Sequence, residues 1–490
     1  MKFLFVISFL VLAGLSVLAV ATLPEKRSDV PLLYWTSDPN PARGPQIAAF
    51  EKWLVDYGFG AASLKLDSNN AGVMKIIIQS ASGCASDMVD MYGGAQVRQL
   101  VSAGVLMDVT DLAKQYGFDL THTYSAVEQE ITVNGRQYSF PCNLSDTPLT
   151  INKALLEREH LPAAKFDWTW DEFLQWCLAV RKTDGGRVTR FAVYPFGPEK
   201  LWVTNGGSMF NETMTRCVAN CAQDREASAF YYSLMFKHKV IPTPVDIAST
   251  AAQEGYGGSL LQWPGHELVV GVAIGRYGLI QLRRFPNFAP DVALFPHKVM
   301  PMQQVGSRSA GINAGTRNPE YAARFLQYLA SDTYNRLIVE DADAMPPNPK
   351  ITETEEYLRP KKWPGEHGAH EEYARSVREY GVGYEYSPFV KADVVARTLA
   401  KYVSGLDSNA LSVDQAHRAL EDEINRELRL TVERDRKLAE RYREAVKVQS
   451  RIDELKAAGK PVPVELIVNP VLRRLRQAGH ANPARAEVGR

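Results

Sequence analysis

A chain of 490 residues is long enough for two or three domains, each with its own core. Lys+Arg and Asp+Glu both number 56, so the formal net charge is zero and no electrostatic excess favours nucleic acid or a membrane surface as partner. Hydrophobic residues at 45% and charged residues at 23% are ordinary for a soluble globular protein, and five cysteines are too few for a disulfide scaffold.

The N-terminus, MKFLFVISFLVLAGLSVLAVATLPEKR, places Lys2 before an unbroken apolar run from Phe3 to Leu23 and turns charged at Glu25. Ala19-Val20-Ala21 is a small-x-small site where a signal peptidase can cut, so export is expected. Uncut, a run of about 20 apolar residues is long enough to be a transmembrane anchor. Both readings put the remainder outside the cytoplasm. The run ends without a Cys, which excludes a bacterial lipoprotein anchor.

Leu32 to Trp35 is a short apolar run closed by Ser37-Asp38-Pro39-Asn40-Pro41, after which Ile47, Phe50, Trp53, Leu54 and Tyr57 recur at helical spacing. Ala61 to Leu66 alternates, and Val73 to Ile78 is dense and apolar. MVDMY at 88–92 reads as a strand before GGAQVRQLVSAG, a helix stopped by Gly104. This succession predicts the α/β class, with a mostly parallel sheet covered by helices on both faces. In ITVNGRQYSF at 131–140, Asn134-Gly135 between two alternating runs predicts a hairpin.

A second α/β region follows. Thr169-Trp170-Asp171-Glu172 is a capping box opening a helix through Phe173, Trp176 and Leu178. Met209 to Cys217 is expected to turn back on itself around Asn211, and Ala227 to Phe236 reads as a helix. Ser309 to Asn313 suits a buried strand, and Asn318, Pro319 and Glu320 open a helix whose Ala322, Phe325, Leu326 and Leu329 share one face. From Ser412 to about Ala458 the pattern is one long charged helix, striped by Ala416, Leu420, Ile424, Leu428 and Val432, then Leu438, Tyr442, Ala445, Ile452 and Leu455. Gly459, Pro461 and Pro463 stop it; the tail after Arg473, Arg474 and Arg476 is expected to be disordered.

Enzymatic patterns are weak. Ser307-Arg308-Ser309-Ala310-Gly311 lacks the first glycine of a nucleophile elbow, and Gly255-Tyr256-Gly257-Gly258 fits no phosphate loop. In EHGAHEEYA, His367, His370 and Glu371 fall within one turn, but without the four-residue gap between histidines of a zinc helix, so a solvated helix start is the plainer reading and no metal or cofactor is expected. Cys217 and Cys221 are the nearest cysteine pair; a local disulfide and two ordinary thiols both stay open. Asp38, Asp90 and Asp146 lie near expected loops, which keeps a polysaccharide-degrading hydrolase or lyase as the alternative function.

Aromatic and amide residues at loop positions stand out: Trp35, Tyr92, Asn143, Trp202, Asn205 with Gly206-Gly207, Tyr277 and Tyr384. A sugar offers an apolar C–H face that stacks on aromatic rings and a rim of hydroxyls that meets Asp, Asn and Arg. Strand ends of open α/β sheets are where ligands bind.

The order of LLYWTSD at 32–38, MVDMYGGAQVRQLVSAGVLMDVTDL at 88–112, NGRQYSFPCN at 134–143, PLTINKALL at 148–156, WTWDEFL at 168–174, WVTNGGSMFN at 202–211, GRYGLIQL at 275–282, SAGINAGTRNPEYAARFLQYLAS at 309–331 and AMPPNP at 344–349 resembles the sugar-binding, maltose-binding-like solute-binding proteins of ABC importers, from about residue 30 to about 430. The resemblance implies a two-lobed, hinged fold of the periplasmic-binding-protein type. Its expected limits are 1–29 as signal peptide or N-terminal membrane anchor, 30–146 with 307–345 as lobe 1, 147–306 with 346–430 as lobe 2, and 431–490 as a helical extension without a family counterpart. It implies no catalysis, a carbohydrate in the interlobe cleft, and delivery to permease subunits by a monomeric periplasmic or extracellular protein. Trp35 and Asp38 match the family's first-strand loop, Tyr92 its third-strand end, Asn143 the loop after the hairpin, Trp202 with Asn205, Gly206 and Gly207 its W…NGG segment, and Arg276-Tyr277 its glycine-aromatic segment. Tyr384 completes the expected ligand set.

Overall fold

The computed structural model describes residue 14 and residues 30–68, 72–249 and 258–479, and its frame is two separate sheets. The apolar run at 3–23 and the tail from 480 lie outside the described residues, apart from Gly14. Among the described residues, no helix is long and apolar enough to cross a membrane.

In the first sheet, β1 (Leu32–Ser37) pairs in parallel with β2 (Ser63–Ser68) and β3 (Met88–Tyr92). The hairpin strands are β4 (Thr132–Val133) and β5 (Arg136–Gln137), with Asn134 at φ 54° and Gly135 at φ 74°, the left-handed pair that a tight hairpin needs. β6 (Ser139–Asp146) follows. Helices α1 (Arg43–Asp56) and α2 (Val73–Ala81) lie on opposite faces of this sheet: Phe50, Trp53 and Leu54 pack around Trp35, while Val73 and Ile76 pack against Val89 and Met91. α3 (Gly94–Ser102) adds Val97 and Leu100 to the second face.

The second sheet contains β7 (Leu149–Asn152), β8 (Lys182–Asp184), β9 (Arg187–Val193), β10 (Val269–Ala273) and β11 (Pro290–Ala293), in the order β11-β7-β10-β9-β8. It is covered by α4 (Trp170–Val180), opened by the Thr169–Glu172 capping box, together with α5 (Glu199–Thr204) and α6 (Ala222–Tyr232). The turn around Asn211 closes as a bridge between Phe210 and Cys217.

Three chain passages join the sheets. Only Thr147 and Pro148 separate β6 of the first sheet from β7 of the second. The chain returns through β12 (Gln303–Ile312), which pairs antiparallel with both β3 and β6, and α7 (Pro319–Ala330) and α8 (Asp332–Asp341) then cover the first sheet. The third passage bridges Met345 to Leu144 before α9 (Ala369–Tyr380) and β13 (Gly381–Val382). Side-by-side passages of this kind permit hinge bending between two lobes.

Beyond α10 (Ala392–Asp407), the expected single helix is two: α11 (Val413–Arg434) and α12 (Arg436–Ala457). Asp435 leaves the helical region at φ −129° and ψ 109°, and its carboxylate caps α12 by accepting from the backbone N–H of Lys437 and Leu438. A stripe spaced by four cannot reveal this break, because a cap costs one residue and the apolar phase resumes after it. α13 (Pro470–Gln477) carries the basic piece Arg473, Arg474 and Arg476, and the tail expected to be disordered lies outside the described residues. The stripe is absorbed by the protein itself: Ala416, Leu420, Ile424 and Leu428 join the second-sheet core, and Ile452 packs with Val203, Met302, Val471, Leu472 and Leu475. All five cysteines are free; Cys217 is buried beside Met209, so no disulfide forms with Cys221.

Candidate functional site

The ends of β1 and β3 rest on a buried charge knot. Arg308 on β12 donates from Nη1 to Asp90 Oδ2 at 2.7 Å, and Asp90 Oδ1 accepts from Trp35 Nε1 at 2.7 Å. Arg43 reaches Asp38 at 2.9 Å and Asp343 at 2.8 Å. Burial alone would push the Asp343 carboxyl up, but Arg308 and Arg43 outweigh it and hold the group below its usual range. Of the expected ligand residues, Trp35 is therefore a core ring and Asp38 a rim carboxylate held by Arg43. Asn143 is buried in β6 and donates to Asp343 O at 3.0 Å, tying the first passage to the third.

The W…NGG segment faces its own lobe. Trp202 donates to Ser228 Oγ at 2.8 Å and its ring lies 5.0 Å from that of His417. Asn205 donates to Gln223 O at 2.8 Å; Gly206 has φ 78°, and a Cβ on Gly207 would meet Asp224 Oδ1 at 1.7 Å. These residues build a tight turn beneath α11.

Arg276 is fully buried and donates to Val339 O at 2.7 Å, Ala344 O at 2.9 Å and Ile338 O at 3.1 Å. A guanidinium is well matched to the carbonyls and negative pole at the end of α8. Its Nε donates to His370 Nδ1 at 3.1 Å, so His370 carries its proton on Nε2 and donates to Glu366 at 2.9 Å. Burial pulls the His370 pKa down to about 4. The helix start is thus closed rather than solvated at His370, while His367 and Glu371 point outward. Among the described residues no group of three side chains could hold a metal. Tyr277 is half-buried beside the small cluster of Val272, Ile274 and Leu282.

Tyr92 and Tyr384 remain as rings at the junction. Tyr92, at the end of β3, is 49% exposed, and its hydroxyl pKa is pushed up by burial, then by Asp90. Tyr384 lies against Gly306, where a Cβ would stand 3.3 Å from its ring, and Gly93, next to Tyr92, donates to Ser307 O at 2.9 Å. Tyr384 thus lies against Gly306 of β12, and the backbone just after Tyr92 is bonded to the neighbouring Ser307.

Four further residues enter here that sequence reasoning missed. Lys200 Nζ lies 3.1 Å from the Tyr384 hydroxyl and 3.4 Å from Gln304 Oε1, with the tyrosine ring 5.0 Å away. On the first-lobe side, Glu130 accepts from Gly94 N at 2.8 Å and from the Tyr386 hydroxyl. Only Tyr386 had a signal, its two-residue spacing from Tyr384 in an extended segment.

Two α/β lobes, three adjacent passages and rings at their junction define a two-lobed binding protein. Residues 64–336 match the family of bacterial extracellular solute-binding proteins, and the chain belongs to that family. Its members bind solutes and are not enzymes, which sets the hydrolase or lyase alternative aside. Solved structures share the fold: the ABC substrate-binding protein Lmo0181 from Listeria monocytogenes in complex with cycloalternan is 20% identical, with TM-score 0.66 over 81% of this chain and 99% of that one. The GacH receptor of Streptomyces glaucescens, solved unliganded and with acarbose, is 14% identical, with TM-score 0.65 over 82% of this chain and 99% of that one. The maltose/maltodextrin-binding domain MalE from Bdellovibrio bacteriovorus bound to maltotriose is 13% identical, with TM-score 0.62 over 81% of this chain and all of that one. No curated protein matches the sequence.

Proposed function

We propose that this protein captures a carbohydrate between its lobes outside the cytoplasm and delivers it to the permease of an ABC importer. The observation that carries the reading is a pair of rings near one stretch of β12, Tyr384 against Gly306 with Lys200 on its hydroxyl, and the exposed Tyr92 at the end of β3 one residue before the Gly93–Ser307 bond. Rings supply stacking faces and the charged groups directed hydrogen bonds, the combination a sugar uses. The similar folds bound to cycloalternan, acarbose and maltotriose support the same class. The lobes we assign are 30–146 with 307–345 and 147–306 with 346–430, followed by the extension at 431–490. Ligand touching both lobes favours the closed form by the difference in contact energy, and the permease reads that form.

We assign residues 1–29 to export and the working form to a monomer. N-terminal sequencing of the exported protein and light scattering test these two assignments. The cargo is tested by a thermal-shift screen with maltotriose, acarbose and cycloalternan. A micromolar binder at millimolar sugar adds about 4 kcal/mol of stability. Recovery of the sugar unchanged is expected; no shift with any oligosaccharide or monosaccharide would overturn the carbohydrate reading.

A further inference from the structure

The segment from 435 to 479 is anchored to one lobe and only touches the other. On the second-sheet side, Gln449 donates to Glu212 at 2.9 Å and accepts from Thr213 Oγ1 at 2.9 Å, and Lys456 pairs with Glu212. Asn469 is buried and donates to Phe210 O at 2.8 Å and Glu385 Oε1 at 2.7 Å. Ile452, Ile467, Val471, Leu472 and Leu475 pack there with Val203 of α5 and Met302. This anchorage combines buried hydrogen bonds with an apolar cluster.

Apart from Val382 of β13, which pairs with β12 of the first sheet and joins the same apolar cluster, its reach to the first lobe among the described residues is two hydrogen bonds. Arg441 Nη2 donates to Asn134 Oδ1 at 2.7 Å, and Gln129 Nε2 donates to Val468 O at 3.4 Å. The first-lobe partners, Asn134 and Gln129, move with the first sheet. Val133 of the hairpin packs against the cluster of Val89, Met91 and Val97, and Gln129 O is held by Arg98 of α3 at 2.7 Å. Between arm and body lies a cavity of about 660 Å3, bounded by Phe389, Arg441, Glu444 and Val468, so the span is not filled by packing. Below it the segment Tyr384-Glu385-Tyr386 alternates sides. Glu385 turns to Ser208 and Asn469, while the Tyr386 ring carries the Arg98 guanidinium at 4.7 Å and its hydroxyl meets Glu130.

We propose that residues 435–479 form an interlobe latch: an arm fixed to the second lobe that holds the first lobe in this orientation through Arg441–Asn134 and Gln129–Val468. Exposed polar contacts suit the task, because each is weak enough to break when the hinge moves and costs nothing in buried apolar surface. The latch rests on the two-lobed hinge reading, and its test needs no sugar, so it can fail independently of the carbohydrate assignment.

The test is a pulsed electron-spin distance measurement between labels at Lys114→Cys and Asp171→Cys, both exposed, in full-length protein carrying Cys84→Ser. Arg441→Ala removes the donor. Asn134→Gly removes the acceptor while keeping the left-handed turn, since glycine adopts φ 54° freely. Each is expected to raise the population of other interlobe distances roughly twofold to tenfold, the value of one hydrogen bond. Arg443→Ala, an exposed neighbour on α12, is expected to leave the distribution unchanged. An unchanged distribution in both Arg441→Ala and Asn134→Gly, or equal broadening with Arg443→Ala, would overturn the latch.

Discussion

Arg308 Nη1 stands 2.7 Å from Asp90 Oδ2 with both side chains at most 4% exposed, so the second passage between lobes is pinned to the first sheet by a buried ion pair. Arg308 also lies 3.5 Å from Asp343 and answers two carboxylates at once. Arg308→Met leaves both without that cation and is expected to cost about 3–5 kcal/mol, the range for breaking a buried pair from one side. Arg308→Met with Asp90→Leu should recover part of it, because an apolar pair asks for no compensation. Urea unfolding measures both; a single-variant cost below about 1 kcal/mol would sink the account.

The Glu130 and Asp146 carboxyls should each cost stability as pH rises from about 4.5 to about 7, against the opposing gain from His370, whose pKa burial lowers to about 4. Burial pushes the carboxyls of Glu130 and Asp146 to about 7, above their ordinary 4.5 and 3.8. Within that window the unfolded chain has released protons that the folded chain keeps, so raising the pH favours unfolding. The penalty is absent below the ordinary values and complete above about 7. Asp343 acts in the opposite sense at the acid end: its depressed pKa gives stability that is lost as pH falls through the folded value. Glu130→Gln with Asp146→Asn should flatten the melting temperature between pH 5 and pH 7.5, and an unchanged slope would assign it to other groups.

How much of this was legible follows from the range of each cue. The Asn134-Gly135 hairpin, the Thr169 cap and the helix after Asn318 rest on neighbours within four residues, and all three are present. Trp202 and Arg276 read in sequence as ligand contacts. Their burial depends on α11 and α8, far along the chain, which no local pattern reports. Lys200 carried no cue, because a lysine before Leu-Trp looks like any exposed helix residue until Tyr384 is brought beside it from 184 positions away.

Exposed and buried rings should separate in their effects. Tyr92→Ala removes a ring that is 49% exposed, so sugar affinity should drop about tenfold, one aromatic contact, while the melting temperature holds. Trp202→Phe instead removes the indole donor to Ser228, whose hydroxyl keeps only its bond to His417, and loosens the ring contact with His417, which should lower stability by about 1–3 kcal/mol. Calorimetric titration beside thermal melts tests the division; loss of stability in Tyr92→Ala would mean that its ring supports the lobe.

The extension should unfold with the body rather than before it. Leu472 and Ile452 are buried against Val203, Met302 and Val382, so the arm and the second lobe share one apolar cluster. Leu472→Ala and Ile452→Ala are each expected to cost about 2–5 kcal/mol and to shift a single unfolding transition. Stopping the chain after Arg434 goes further, since it strips Glu212 of Lys456 and Gln449 and removes the arm's side of the apolar cluster. Such a chain should melt below the full-length protein whether or not sugar is present. If instead calorimetry of the full chain resolves a separate early transition, abolished by that truncation, while the main transition stays in place, the arm would be an appendage and its apolar contacts would contribute nothing to the lobe.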